Sequence, residues 1–348
     1  MSDFGHLIQR LREGHNLSRR DVAAAVELLA SPEESPEVKA EFLSALTSKG
    51  ETTKEIAAFA SELRERAVAV PIDGETRART ILDVCGTGGD RLNTFNISTA
   101  VALVCAGAGI TVAKHGNRAI TSLAGSAEVL EALGVPIELT PEQAAESLRV
   151  HNFAFFFAPK YHPTFQFINP ARKLCAERGT RTIFNIMGPL LNPARPNVQL
   201  VGVPRPQFCQ PVAVVLESLG ARRAMVVCGQ AGEAFLDELS TIGPSTTAAY
   251  EPGAEPHSGT LSPSEVGIAF ARLEDLRGGD KFANAEIIRR ILDGRERGAK
   301  RDAVVLNAGA AFAVAGRASD IREGVKAAGE VIDSGAAAEK LRQITTGK

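Results

Sequence analysis

Three things are missing from this 348-residue sequence: paired cysteines, a surplus of charge of one sign, and a long apolar run. The five cysteines, Cys85, Cys105, Cys175, Cys209 and Cys228, are scattered, odd in number and never spaced as CxxC. That argues against a zinc site or a disulfide framework and for a reducing compartment. Thirty-nine basic and 41 acidic residues leave a net charge of −2, so no basic footprint points to nucleic acid. The most apolar stretch, Ala100 to Ala113, is too short and too interrupted by glycine to span a bilayer. The opening MSDFGHLIQRLREG is charged early and lacks the apolar core of a signal peptide. A cytoplasmic protein is expected, with no membrane or nucleic-acid partner. Internal repeats and low-complexity linkers are absent too.

What is present is an ordinary globular mixture whose pattern changes partway along the chain. Up to about residue 65 it predicts four short helices. Val22, Val26 and Leu29 share a helical face, as do Val38, Phe42 and Ala45, and then Ile56, Phe59 and Leu63. Ser18, Ser35 before Pro36, and Thr52 or Thr53 read as N-caps, and Gly50 as a helix stop. From Ile81 onward, β-type runs alternate with helical ones: Ile81–Cys85, Ile110–Ala113, Phe153–Phe157, Val198–Val203 and Ala224–Cys228. Thr140-Pro141-Glu142-Gln143 reads as a capping box, and the chain is expected to end in two helical runs, Asp302–Gly316 and Ile321–Ile344. Such alternation predicts an α/β fold, with a mostly parallel central sheet flanked by helices. The expected division is a small N-terminal helical domain, residues 1–70, and a larger α/β domain, residues 71–348. The helical stretch Tyr161–Arg181 breaks the alternation, so the helical unit is expected to be revisited by roughly 161–185.

Chemistry concentrates in three places. Asp83-Val84-Cys85-Gly86-Thr87-Gly88-Gly89-Asp90 is followed by Thr94-Phe95-Asn96-Ile97-Ser98-Thr99 and an Ala/Val-rich helix. A strand, a loop with three glycines and a helix start make an anion site, because glycines allow positive φ and close backbone approach. The spacing is neither a Walker A loop nor a Rossmann fingerprint. Lys114-His115-Gly116-Asn117-Arg118, Thr121-Ser122 and Gly125-Ser126 follow the second β-type run, where open α/β sheets bind ligands. Lys114 and Arg118 supply charge there, while Asn117, Ser122 and Ser126 supply neutral hydrogen bonds. Third, Asp237-Glu238 sits between apolar residues. Adjacent carboxylates are most often solvated surface charge, but a diphosphate ligand calls for a hard cation held by one or two of them.

Together these stretches resemble the anthranilate phosphoribosyltransferases. The resemblance also includes Ala158-Pro159-Lys160-Tyr161-His162, Arg181-Thr182-Ile183-Phe184-Asn185, Gly188-Pro189-Leu190, Asn192-Pro193 and Leu306-Asn307-Ala308-Gly309-Ala310-Ala311, and it spans nearly the whole chain. It implies 5-phosphoribosyl 1-diphosphate (PRPP) bound between a helical and an α/β domain. Carried over by position, the PRPP contacts would be Gly86, Gly89, Asp90, Thr94, Asn96, Ile97, Ser98, Thr99, Lys114, His115, Gly116, Asn117, Arg118, Ala119, Ile120, Thr121, Ser122 and Ser126. Anthranilate would meet Gly86, Asn117 and Arg172. Two Mg²⁺ per monomer would be held by Ser98, Asp237 and Glu238, and the family implies a homodimer. Two stretches depart from the family pattern: the segment from Arg172 to Arg181 is a few residues longer, and Ala234-Phe235-Leu236 stands where a glycine more often precedes the apolar residue.

The implied reaction moves the 5-phosphoribosyl group from PRPP to the amine of anthranilate, releasing pyrophosphate with Mg²⁺ assistance. No residue would act as a covalent nucleophile; alignment and electrostatics would carry catalysis. A pyrimidine nucleoside phosphorylase-like enzyme is the alternative within catalysis, and Asp237-Glu238 argues against it. A non-catalytic nucleic-acid-binding paralogue is the other, and it should show a basic groove and eroded loops.

Overall fold

The computed structural model describes residues 3–119 and 123–347. Helices α1 (Asp3–Arg12), α2 (Arg19–Ala30), α3 (Pro36–Lys49) and α4 (Thr53–Glu65) form the N-terminal bundle. Their starts are set by side chains: Ser18 and Thr52 make capping boxes with Asp21 and Glu55, and Ser35 accepts from the Val38 N–H ahead of Pro36. Each such cap is worth about 1 kcal/mol. Gly50 closes α3 at φ 88°. The faces of α2 and α4 bury as their spacing predicts. On α3, however, Val38 is only partly buried, while Lys39, Ala40, Leu43 and Leu46 join Phe42 and Ala45 inside. The reason is that α3 is central, packed both by α1 and by α10 (Phe165–Glu177), which comes from much later in the chain. Ile168, Ala171 and Cys175 of α10 enter the bundle core. The buried Lys39 ammonium donates to the carbonyls of Ser31 at 2.6 Å and Phe167 at 3.0 Å, fastening α10 to the bundle.

After the short α5 (Gly74–Ala78), strands β1 (Ile81–Gly86), β2 (Thr111–Gly116), β3 (Phe153–Phe157), β4 (Val198–Gly202) and β5 (Arg223–Ala231) alternate with α6 (Ile97–Gly107), α7 (Ser126–Leu133), α8 (Pro141–His151), α9 (Ala158–Tyr161), α10, α11 (Phe184–Met187) and α12 (Cys209–Ser218). Strands β6 (Ala234–Leu236), β7 (Ser245–Tyr250) and β8 (His257–Leu261) complete an eight-stranded sheet of order β3-β2-β1-β4-β5-β7-β8, with β6 beside β5. Strands β1 to β5 pair in parallel, and the last three are antiparallel. Adjacent residues of β5 serve opposite layers: Val227 faces the core built on α6, and Val226 the core shared with the bundle. The stretch Ala100–Ala113 is the inner helix α6 running into β2, apolar on every side because it is covered on every side. No helix among the described residues is long and apolar enough to cross a membrane.

The chain finishes with α13 (Lys281–Leu292), α14 (Ala299–Val314), α15 (Ile321–Asp333) and α16 (Ala336–Thr346). The single run expected over Ile321–Ile344 is therefore two helices, broken where Gly335 takes φ 79°. Because β1, β2, β4 and β5 are parallel, their carboxyl ends lie along one edge, and the loops leaving them meet there.

Candidate active site

The loop after β1 turns through a cluster of positive φ angles: Gly88 at 72°, Gly89 at 84°, Arg91 at 61° and Asn93 at 54°. Its Gly88 N–H donates to Oδ2 of Asp237 at 2.6 Å. The Asp237 carboxylate fills the space a Cβ on Gly86 would take, and a Cβ on Gly202 would overlap the Asp237 carbonyl. Asp237 therefore rests on the ends of β1 and β4. Its neighbour Glu238 accepts from the Ser98 N–H, in the first turn of α6, at 3.0 Å. The pair is not solvated surface charge: it is packed into the sheet end, with Asp237 buried and Glu238 half-buried.

Burial raises the pKa of Asp90, Asp237 and Glu238 above the usual carboxylate range, and mutual repulsion raises those of Asp237 and Glu238 further. Lys114 is the ammonium that opposes this at Glu238. It is 1% exposed and donates to the Val84 carbonyl at 2.8 Å and the Ser98 hydroxyl at 3.3 Å. Crowded carboxylates with so little positive charge fit a divalent cation. Among the described residues no group of three His, Cys, Asp or Glu could hold a metal. Substrate oxygens would have to complete the shell, which suits Mg²⁺ on a polyphosphate.

The loop after β2 is less uniformly aimed at a ligand. Asn117 accepts through its carbonyl from Ala127 N–H at 3.3 Å and the Ser126 hydroxyl at 3.4 Å, joining the loop to α7. A Cβ on Gly116 would overlap that hydroxyl. Arg118 turns outward, in a two-point ion pair with Glu131 at 2.9 Å and stacked over Phe157, not toward the glycine loop. Ala119 N–H donates to Glu128. Ile120, Thr121 and Ser122 lie outside the described residues. Thr94 forms an isolated bridge with Arg277, and the side chains of Ile97 and Thr99 face the core, leaving only their backbone for a ligand. The Asn96 side chain is used structurally, donating to the Ala124 carbonyl at 3.1 Å and accepting from Asn284 at 2.9 Å.

His115 and His162 are both buried, their rings edge to face at 5.3 Å. His115 Nδ1 lies 3.1 Å from the Gly188 carbonyl, which can only accept, so Nδ1 carries the proton. Burial pushes the His115 pKa down to about 3, and that of His162 to about 4. Both are therefore neutral at pH 7. An unfolded chain would bind these protons from about pH 6.5 downward. The histidine contribution to stability is thus complete above pH 6.5 and lost as pH falls toward 4, at about 1.4 kcal/mol per proton per pH unit. His162→Phe is expected to flatten the fall in unfolding free energy between pH 6.5 and 4.5 by about one proton. Parallel denaturant curves for the two proteins across this range would contradict the neutral assignment.

Arg172 lies half-buried on α10, 3.1 Å from Oδ1 of Asn169, with its guanidinium 5.5 Å from the Phe184 ring centre. Phe184 meets Phe165 at 5.6 Å, Phe165 meets His162 at 5.8 Å, and His162 meets His115 at the end of β2. This series of rings connects Arg172 to the same strand edge. The longer segment ends in a compact helix stop, with Gly179 at φ 71° and the Thr180 N–H on the Cys175 carbonyl. It lies beyond Arg172. The other departure, Ala234, pairs with Ala231 in a tight hairpin whose turn uses Gly232 at φ 66°.

Four residues outside the expected set shape the site. Asp83, wholly buried, accepts from the His115 N–H at 3.3 Å and from Asn192 at 2.9 Å. Asn284 holds Asn96, and Asn307 holds Leu239. Each is a polar residue set among apolar or alanine neighbours, as in Leu306-Asn307-Ala308, and that isolation is the signal that could have found it.

A model of the glycosyl transferase family a/b domain matches residues 78–338, and one of that family's helical bundle domain matches residues 5–67. The chain is 44% identical to an anthranilate phosphoribosyltransferase of Herpetosiphon aurantiacus, covering 94% of each. It is equally identical to one of Afipia carboxidovorans, covering 99% of this chain and 98% of that one. Its structure matches the anthranilate phosphoribosyltransferase of Thermus thermophilus with a TM-score of 0.87 at 41% identity, covering 97% and 98% of the chains. It also matches the Saccharomyces cerevisiae enzyme in complex with PRPP and Mg, with a TM-score of 0.86 at 25% identity, covering 98% and 96%.

Proposed function

The chain belongs to the anthranilate phosphoribosyltransferase family, and from that premise we propose how its own residues perform the transfer of the 5-phosphoribosyl group from PRPP to anthranilate. The observation that carries the reading is the seating of Asp237 and Glu238 on the Gly88 and Ser98 amides, at the mouth of the glycine loop. The loop amides and the start of α6 would cradle the phosphates. Asp237, Glu238 and the Ser98 hydroxyl would hold Mg²⁺, two ions per monomer. Lys114 keeps that hydroxyl and the end of β1 in register. Magnesium, when bound, offsets the charge of the departing diphosphate.

The anthranilate nitrogen lone pair forms the new bond to ribose C1, the bonding electrons of C1–O leave with diphosphate, and the nitrogen gives up a proton. An aromatic amine needs no deprotonation before attack, so no strong base is required. The residues' work is alignment and charge stabilisation. Gly86 and Asn117 would border the acceptor, with the contribution of Arg118 confined to pairing with Glu131. A homodimer acting in the cytoplasm, without nucleic acid, completes the proposal, as does a division near residue 70 between the helical unit and the α/β unit. Release of diphosphate that requires PRPP, Mg²⁺ and anthranilate together tests the reaction.

Arg172 would face the acceptor carboxylate, a charged hydrogen bond of about 1.5–3 kcal/mol. Arg172→Ala is expected to raise the KM for anthranilate roughly tenfold to a hundredfold and leave that for PRPP nearly unchanged. Arg172→Lys should recover only part of this, since an ammonium cannot present the planar fork. An equal effect on both substrates would make Arg172 a packing residue over Phe184.

A further inference from the structure

The carboxylate arm, Asp237 to Leu239, is gripped from behind by Asn307, a residue given no ligand or metal role above. Asn307, fully buried within α14, accepts at Oδ1 from the Leu239 N–H at 2.9 Å and donates from Nδ2 to the Leu239 carbonyl at 3.0 Å. Leu239 directly follows Glu238. One side-chain amide thus engages both backbone groups of the next residue, as a paired strand would. A third bond, from Nδ2 to the Ala303 carbonyl at 2.9 Å, fixes the orientation of the amide. Turned over, it would set its oxygen against two carbonyl oxygens.

The helix that carries Asn307 is itself held firmly. A Cβ on Gly309 would overlap Val325, and one on Gly324 would overlap the Gly309 backbone, so α14 and α15 meet backbone to backbone. On the strand side, a Cβ on Gly229 would press on the Glu238 carbonyl. The arm is therefore confined between β5 and α14, with Asn307 as its polar contact with α14.

We propose that Asn307 is a positioning residue for the cation: by fixing the backbone of Leu239 it sets where the Asp237 and Glu238 carboxylates stand. This rests on the reading that those two carboxylates hold the metal. Without the fork, the arm keeps its ties to Gly88 and Ser98, and Ser240 keeps its bonds to Ser245 and Gln230, but Leu239 loses its polar hold on α14.

The test is a Mg²⁺ titration followed by the rise in Tm in the presence of inorganic diphosphate, with the Mg²⁺ dependence of the transferase rate alongside. Asn307→Ala is expected to raise the half-saturating Mg²⁺ about tenfold or more in both readouts. Saturating Mg²⁺ should restore most of kcat, with the KM for anthranilate unchanged. Asn307→Asp, equal in size, sets a second oxygen against the carbonyls of Leu239 and Ala303, and it should shift the titration too. It carries the test if the alanine variant does not fold. Asn197→Ala removes an asparagine that bonds the Ile81 N–H and the Arg79 carbonyl at the opposite end of β1, and it should lower Tm without moving the Mg²⁺ midpoint. Wild-type Mg²⁺ midpoints in the Asn307 variants, or an equal shift in Asn197→Ala, overturn the proposal. The Asp237→Asn, Glu238→Gln double variant separates the two claims. If its Mg²⁺ response is that of the wild type, the metal reading itself fails. If it loses the response while the Asn307 variants keep theirs, only the role of Asn307 fails.

Discussion

Replacing Asp237 by Asn and Glu238 by Gln together is expected to lower turnover by roughly a hundredfold to a thousandfold, the loss typical when charge stabilisation of a leaving or developing anion is removed. Mg²⁺ dependence of the remaining rate should largely disappear. Stability should not fall with activity. Both carboxylates are held in a place where burial and mutual repulsion disfavour their charge. Amides of the same shape remove that penalty and still offer an oxygen to the Gly88 and Ser98 N–H groups. The expected signature is therefore an inactive protein with an unchanged or raised Tm. A double variant with wild-type rate across a Mg²⁺ titration would show that the pair does not serve the metal. Lost activity with a collapsed fold would show that it is a structural pair.

Gly89→Val is expected to abolish the thermal stabilisation given by PRPP, about 2.7 kcal/mol when ligand exceeds Kd a hundredfold. The cause is conformational. No atom lies within 4 Å of where a Cβ on Gly89 would sit, so nothing blocks the side chain. The obstacle is φ of 84°, which costs an L-residue about 1–2 kcal/mol and a β-branched one more. The loop relaxes to relieve this, and its amides leave the positions that would face phosphate. Gly86→Ala should also impair binding, but through collision with the Asp237 carboxylate. An unchanged PRPP-induced shift in Gly89→Val would mean that the loop is only a turn.

Much of this architecture was legible because local chemistry and periodicity agree with the final packing. Ser18, Ser35, Thr52 and Thr140 cap the helices their spacing announces. Strand β3 runs over the predicted Phe153–Phe157 because a continuous apolar run suits a strand covered on both faces. The antiparallel edge was not read: Ser-Thr-Thr-Ala-Ala-Tyr and His-Ser-Gly-Thr-Leu are polar and weakly patterned, and they are strands because β5 offers them a ladder. The break at Gly335 was missed because apolar spacing continues across it.

The candidate site divides in the same way. Glycine loops and carboxylate pairs are contiguous, so Gly86 to Asp90 and Asp237-Glu238 stand out in one dimension. Asn284 and Asn307 act on partners 188 and 68 residues away, and pairings of that kind appear only once the chain is folded. Arg118 illustrates the other direction. Its charge suits phosphate, but in the folded chain Glu131, in the second half of α7, pairs with it.

The central claim is tested most directly by mixing the protein with PRPP, Mg²⁺ and anthranilate and following anthranilate fluorescence. The account expects a steady loss of fluorescence that needs all three components and stops on chelation of Mg²⁺. Fluorescence that holds constant at high protein concentration, while phosphate-dependent cleavage of a pyrimidine nucleoside proceeds, would contradict it.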